Sequence, residues 1–351
     1  MQQIKLNNQS LEVTINLQGA EVRSVKNSVT AHEYMWDANP AFWSGVSPVL
    51  FPVVGKTTAG VLKFAGKDYP QGNHGFARSS VFSVIESLPT KAILQIVTSE
   101  LGADVYPFNL AFRVSYSLDG AKLITEYMVE NLDTQTAYFS VGAHPAFKCP
   151  LDAEHKIDDY IIEFSAPESN LVWHEITPQA FFTGKTASLN LQQMELNTET
   201  FANDALVYDN YVSSHVSLRE KNSSRQIRVS LTGFPWLGLW SKVGAEYVCI
   251  EPWCGHSDML GFSGEINQKV AIETMPGQFR FSLDQLILEI EELLKLGIKS
   301  FVIFPVIHDK HKNVTASYAL DENNFYYKAA TIIKEKFPES YLISDVALDP
   351  Y

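Results

Sequence analysis

No stretch of this 351-residue chain approaches the roughly 20 consecutive apolar residues that a membrane-spanning helix needs. Its start, Met1-Gln2-Gln3-Ile4-Lys5-Leu6, lacks the apolar core of a secretion signal, so residence in the cytoplasm is the expectation. Basic charge is scarce: 27 Lys and Arg stand against 40 Asp and Glu, for a net charge of −13. Nucleic acid and anionic membranes bind through basic surfaces and are therefore excluded as expected partners. A phosphorylated small molecule is not excluded, because a local basic pocket fits on an acidic protein. Cysteine is scarce too. Cys149, Cys249 and Cys254 are odd in number and fit no common zinc spacing, so buried or partly buried free thiols are expected. The sequence also lacks any internal repeat of fixed period.

What is present divides into two compositions. With 46% apolar and 19% charged residues the chain is globular. Up to about residue 270 it reads as β almost throughout. Leu11-Glu12-Val13-Thr14-Ile15 alternates apolar and polar, the period of a half-buried strand. Similar stretches recur at 83–85, 92–97, 112–116, 160–164 and 216–218, punctuated by Gly, Asn, Asp and Pro. Many short strands with no long helical pattern between them predict an all-β sandwich.

The character changes near residue 275. Apolar residues at 283, 286, 287, 290, 293 and 294 have helical spacing, with Glu289, Glu291 and Glu292 on the wet side. Ser282 is placed as the N-cap, with Gln285 where a capping box wants it, and Gly297 as the stop. The run Ser300-Phe301-Val302-Ile303-Phe304-Pro305 predicts a strand buried on both faces. A second helix is predicted over 324–336, ended by Pro338, and a second buried strand over 341–346. Helix, strand, helix, strand is α/β grammar and implies a parallel sheet. About 70 residues cannot cover both faces of such a sheet, so this part is expected to be an incomplete domain whose open face promotes self-association.

Four segments of the β part join a reactive polar residue to Pro or Gly and aromatics. They are Pro48–Lys56, Asn73–Arg78, Gly142–Phe147 and Cys249–Trp253. Rigid backbone, apolar walls and a few polar tips are the features of a binding site at strand ends. With His-Gly-Phe-Ala-Arg at 74–78, His-Pro-Ala-Phe at 144–147, Asn-Asp-Ala-Leu at 203–206 and Glu-Pro-Trp at 251–253, residues 1–272 resemble the aldose 1-epimerase (mutarotase) family, in its LacX-like bacterial branch. The resemblance implies a mainly β fold, the galactose-mutarotase-like antiparallel β-supersandwich, with a sugar cleft on one sheet and no cofactor or metal.

It also implies the chemistry. Mutarotation opens a pyranose and recloses it on the other face, so one group protonates the ring oxygen while another removes the anomeric hydroxyl proton. A His/Glu pair does both without a metal. The family pattern places the acid on His144 and the base on Glu251. His74 and Arg78 are expected to bind sugar oxygens, and Asp204 to anchor hydroxyls, with Asp209 close enough in sequence to be the relevant acid instead. Trp253, Trp236 or Phe147 is expected to pack on the sugar's apolar face. Lys56 departs from the pattern, since the LacX-like branch commonly carries Arg there; it keeps the charge and loses the planar fork. It fits a phosphate or carboxylate contact or a salt bridge within the fold. The pair His308 and His311 is expected in a solvated loop, because Lys310 and Lys312 disfavour a cation.

Residues 273–351 resemble a different family, porphobilinogen synthase. The matching words are Met275-Pro276-Gly277 with Arg280-Phe281-Ser282, then Phe304-Pro305-Val306, then Ser344–Tyr351. Ala347 and Asp349 stand where zinc-dependent members have cysteines. The resemblance implies a fragment of a (β/α)₈ barrel. A barrel closes with eight strands, and about two are supplied, so no dehydratase activity is expected and Asp345 lacks its partners. The expected function is that of an epimerase on a sugar or sugar phosphate. The rivals are a non-catalytic sugar-binding or regulatory module, and a non-functional fusion.

Overall fold

A computed structural model of the chain describes residues 2–262, 269–271, 279–305, 317–321 and 324–344. The chain divides into two compact units, Met1–Leu62 with Lys67–Leu260, and Lys63–Gly66 with Gly261–Tyr351.

In the first unit β1 (Gln3–Asn7), β2 (Leu11–Asn16) and β3 (Val22–Asn27) form an antiparallel sheet. Next come β4 (Val49–Leu50) and the short pair β5 (Val61–Phe64) and β6 (Lys67–Pro70). A four-stranded sheet follows: β7 (Ser83–Leu88), β8 (Lys91–Val97), β9 (Leu110–Asp119) and β10 (Lys122–Asn131), in spatial order β10-β9-β8-β7. Alternation on β8 buries Ala92, Leu94 and Ile96 and leaves the residues between them half-buried.

The remaining strands join β4 in a ten-stranded sheet. They are β11 (Val141–Ala143), β12 (Ala146–Lys148), β13 (Tyr160–Ile176), β14 (Phe182–Glu195), β15 (Leu206–Asp209), β16 (His215–Glu220), β17 (Gln226–Ser230), β18 (Trp236–Trp240) and β19 (Tyr247–Cys254). The main order is β17-β16-β13-β15-β18-β19-β11-β4, with β12 beside β19 and β14 beside β13. Every described pairing in it is antiparallel. The predicted all-β first part is therefore what forms. Phe51, just after β4, stacks on Phe112 of β9 with ring centres 4.1 Å apart and planes 12° from parallel, which joins the ten-stranded sheet to the four-stranded one.

The two-residue period of β18 and β19 decides what each face carries. Leu237, Leu239, Val248 and Ile250 enter the main core with Tyr160, Phe164, Leu171 and Tyr208. Gly238, Trp240, Cys249, Glu251 and Trp253 consequently lie on the opposite face. Of the aromatics expected as a sugar platform, packing turns one away. Phe147 on β12 packs against the main core. Trp236 packs with His174, Phe182 and His256 at centroid distances of 4.5–5.6 Å. Of the cysteines, Cys149 and Cys249 are buried free thiols as expected, whereas Cys254, at the end of β19, is exposed.

In the second unit β20 (Lys269–Ala271) pairs antiparallel with β21 (Phe279–Phe281). α1 (Leu283–Lys295) starts after Ser282 as expected, and α2 (Phe325–Lys336) is capped by the Asn324 side chain, which accepts from the Tyr326 N–H. β22 (Ser300–Ile303) and β23 (Tyr341–Ser344) pair in parallel, as the α/β reading requires. Ile290, Phe301, Ile333 and Phe337 form the core there. The expectation that β22 is buried on both faces is corrected: Val302 is 50% exposed and Phe304, just past the strand, is 67% exposed. The cause is layering: Phe301, Ile303 and Leu342 pack towards the helices, and no described element covers the other side of the two strands. Met275–Gly277, His308, His311, Asp345, Ala347 and Asp349 lie outside the described residues. No described helix is long and apolar enough to cross a membrane.

Candidate functional site

The face of the ten-stranded sheet opposite the main core holds a cleft of about 230 Å³. All seven residues singled out in the sequence line it: Lys56, His74, Arg78, His144, Asp204, Glu251 and Trp253. They come from widely separated parts of the chain, and the sheet brings them together. Asp209 is not among them; its carboxylate lies 3.1 Å from His174 Nε2, so Asp204 is the acid the cleft presents.

Glu251 sits mid-strand on β19, opposite Gly238 of β18, and His144 occupies the short link between β11 and β12. His144 Nε2 and Glu251 Oε2 are 3.4 Å apart and both residues are buried. Among the described residues, His144 Nδ1 and Glu251 Oε2 find no hydrogen-bond partner. Buried polar atoms are rarely left so, at a cost of about 1–3 kcal/mol each. Burial also sets the charges. It pushes the His144 pKa down from 6.5 to about 3, helped by the positive charge of Arg78 and opposed by a contact with the residue's own backbone. Burial holds Glu251 well above the ordinary carboxylate value, with the charge of Asp204 adding to the shift and the Trp253 indole N–H opposing it. Burial thus drives each group towards its neutral form.

His74 is prepared as a neutral donor. Its Nδ1 accepts from the Gly55 N–H at 3.0 Å, which leaves the proton on Nε2. Burial, then the charges of His144, Arg78 and Lys56, holds its pKa well below 6.5. Its backbone has φ of +65°, stabilised by the His74 N–H bond to Gly55 O at 2.7 Å. A non-glycine residue held there costs roughly 1–2 kcal/mol, a strain typical of binding sites. Asp204 shares that strained region, at φ +81°, and its own carboxylate caps the Ala205 N–H at 2.8 Å.

Lys56 is placed by two loops stitched together. Its N–H donates to Ser257 Oγ at 3.0 Å, the Thr58 N–H donates to Asp258 Oδ2 at 2.6 Å, and Asp258 N–H returns to Lys56 O at 2.9 Å. The alternative of a salt bridge within the fold is not realised: Lys56 forms no ion pair among the described residues. Arg78 feels Glu21 only at a distance, because that carboxylate is bound to Arg23 at 3.0 Å. Two cations thus face a cleft on an acidic protein.

Trp253 lies across two glycines on the neighbouring strands. A Cβ on Gly238 would stand 2.5 Å from its Cζ2, and one on Gly142 2.7 Å from its Cδ1. Any side chain at either position would lift the indole off the sheet. Sequence reasoning missed Trp43, Phe182, Trp240 and Ser257, which also line the cleft. Trp240 was legible, since it alternates with core residues Leu237 and Leu239 on β18. Trp43 carries no such signal, because its loop has no periodicity.

Among the described residues, two clusters have metal-ligand character. His144, Cys249 and Glu251 place donor atoms within 4.8 Å of one another, as do Asp152, His155 and Glu220. In the second, Arg225 already contacts both Asp152 and Glu220 at 2.5 Å. In the first, burial pushes the Cys249 thiol well above its usual pKa, which disfavours the thiolate a metal needs.

The sequence pattern of the aldose 1-epimerase family matches residues 2–281. The chain belongs to the aldose 1-epimerase family. The chromosomal LacX protein of Lactococcus lactis subsp. lactis is 33% identical over 274 residues, covering 73% of this chain and 89% of that protein. A galactose mutarotase related enzyme from Lactobacillus acidophilus superposes with a TM-score of 0.71 at 31% identity, covering 75% of this chain and 89% of the other. A galactose mutarotase-like protein from Lactobacillus casei gives 0.68 at 26% identity, covering 73% and 89%. The first unit therefore has the galactose mutarotase-like fold. The delta-aminolevulinic acid dehydratase pattern matches residues 262–351, overlapping the epimerase match over 262–281. The dehydratase of Chlamydia pneumoniae is 44% identical over 85 residues, of which this chain spans only 26% of the length.

Proposed function

We propose that this member of the family is an active aldose 1-epimerase, interconverting the α and β anomers of an aldose or aldose phosphate, with Glu251 as general base and His144 as general acid. The observation that carries this is the 3.4 Å approach of His144 Nε2 to Glu251 Oε2 inside the cleft. The two oxygens that exchange protons in mutarotation, O1 and O5, are bonded to the same carbon. The acid and base that serve them must therefore lie side by side on one side of C1, as these two do. A glycosidase instead needs two carboxylates set roughly 5–9.5 Å apart across the bond.

The proton count is consistent with this role. In the reactive form Glu251 is the carboxylate and His144 the imidazolium. Glu251 takes the O1 proton as the C1–O5 bond breaks, and His144 delivers its proton to O5. The open-chain aldehyde then faces a carboxylic acid and a neutral imidazole. Rotation about C1–C2 presents the other carbonyl face, His144 recovers the proton from O5, and Glu251 returns its proton to O1. The pair holds one proton throughout. Low-dielectric surroundings penalise the charged form and so bring it closer in energy to the neutral form that the reaction must visit.

His74, with Nε2–H as donor, and Arg78 would hold sugar oxygens, Asp204 would accept from hydroxyls, and Trp253 would carry the apolar face of the ring. The unpaired Lys56 and Arg78 favour a substrate with an anionic substituent over a neutral sugar. Fresh α-glucose, α-galactose and glucose 6-phosphate, followed by polarimetry or NMR exchange, test the proposal. Acceleration that vanishes in Glu251→Gln and His144→Gln supports it. Saturable sugar binding without acceleration would replace it with a binding module.

A further inference from the structure

A general acid must be held in one orientation to deliver its proton, and in most sites a carboxylate or carbonyl on the far ring nitrogen does this. His144 has no such partner among the described residues: its Nδ1 is buried and bonds to none of them. Its ring is instead enclosed by other rings. Trp43 stacks on it with centroids 4.9 Å apart and planes 27° from parallel. Trp240 meets it edge-on at 5.7 Å and 85°, and His74 does the same at 5.4 Å and 84°. Trp43 and Trp240 are themselves perpendicular at 5.5 Å.

Trp43 comes from a loop whose other residues are largely exposed; Ala41, Phe42 and Ser44 face solvent, while Trp43 is half-buried. Several contacts bring it in. The Asn39 N–H donates to Asp37 Oδ1 at 2.9 Å, Asn39 Oδ1 accepts from the Ala41 N–H at 3.0 Å, and Asn39 O accepts from the Trp43 N–H at 3.0 Å. The Trp36 indole N–H then binds Trp43 O at 2.8 Å. The indole folds back over Gly45, where a Cβ would stand 2.4 Å from its Cζ2. Residue 45 must therefore be glycine for the ring to reach His144.

We infer that Trp43 is a positioning residue, which fixes the His144 ring by stacking where hydrogen bonding does not, with Trp240 as the second wall. The inference rests on His144 being the acid of the proposed reaction. An indole face also attracts an imidazolium more than a neutral imidazole, so the stack supports the charged form that the reaction needs. The alternative role for a tryptophan in a sugar cleft is as a platform for the sugar itself. The two roles separate kinetically: losing a platform weakens substrate binding, and losing an orienting wall slows the chemical step.

The test uses Trp43→Leu, Trp43→Phe and Gly45→Ala in the full chain. In mutarotation assays Trp43→Leu and Gly45→Ala are expected to lower kcat on the order of tenfold to a hundredfold, with KM within about twofold. Trp43→Phe, which keeps an aromatic face, is expected to recover most of that loss. A second readout does not need activity. The stacked indole shifts the His144 ring-proton NMR signals upfield, and Trp43→Leu is expected to remove that shift. A rise in KM with unchanged kcat makes Trp43 a sugar platform and overturns the proposal. So does an unchanged His144 spectrum in Trp43→Leu. If wild type is inactive but the spectrum responds, the epimerase reading fails while the stacking stands.

Discussion

The seat of Trp253 on glycine lends itself to a direct perturbation, Gly238→Ala. The added methyl would lie 2.5 Å from Cζ2 and 2.6 Å from Cη2 of the indole. Ordinary carbon contacts are about 3.5–4.0 Å, so roughly 1 Å must be made up. The ring cannot slide along the sheet to find it, because Gly142 on the other neighbouring strand has room for no side chain beneath Cδ1. Strand β18 cannot retreat either, since Leu237 and Leu239 are fully buried on its other face. The indole must tilt up into the cleft. Overpacking of this kind costs about 1–3 kcal/mol. For a domain of this size that corresponds to a fall in Tm of roughly 2–12 °C. The tilt also shrinks the cleft beside Glu251, so kcat/KM should fall at the same time. Thermal unfolding and mutarotation kinetics on the purified variant check both. Gly72→Ala, where the added methyl would come no nearer than 4.0 Å to the Gly75 carbonyl oxygen, serves as the stability control and should keep its Tm within about 1 °C. A Gly238→Ala protein with wild-type Tm and kinetics would refute the tight seat.

Further outcomes follow from the charges. Glu251 has a folded pKa above its ordinary 4.5, so its contribution to stability is complete below that pH and is lost as pH rises through the folded value. Glu251→Gln has no proton to lose, and its Tm relative to wild type should climb as the pH rises above 4.5; a constant difference would mean the carboxyl does not retain its proton. His74 and His144 shift the other way, with folded values below 6.5. Their contribution is complete above 6.5 and is lost as the solution is acidified towards about 3, so wild-type Tm should fall below pH 6.5 and fall less steeply in His144→Gln. Lys56→Ala should raise KM for glucose 6-phosphate several-fold more than KM for glucose, on the order of the 1.5–3 kcal/mol of a charge-assisted bond at most. Equal effects on both sugars would remove Lys56 from any anion contact.

Much of the first unit was readable in the sequence because period-two alternation is a local signal. It marked strands such as Leu11–Asn16 and Lys91–Val97 directly. The site residues were readable for a different reason: His74, Arg78, His144, Asp204 and Glu251 sit inside short words whose order resembles one family. The cleft that gathers them depends on pairings such as Gly142 with Trp253 and Gly238 with Glu251, which no local pattern reveals. The choice of aromatic platform went wrong at Phe147 because a motif word does not say which face of a strand a residue takes; the strand's alternation sends that ring into the core. Trp43 was invisible because its importance comes only from where an irregular loop folds. In the second unit the helix–strand order and the parallel pairing were legible, but the burial of β22 was not, since an apolar run reports what a strand is able to bury and not what covers it.

The most direct measurement is the decay of optical rotation of fresh α-anomers of glucose, galactose and glucose 6-phosphate with wild type, His144→Gln and Glu251→Gln, each verified as folded. Faster decay with wild type for at least one sugar, lost in both variants, is the predicted result. Acceleration that survives in either variant, or folded wild type that binds sugar without accelerating it, would contradict the account.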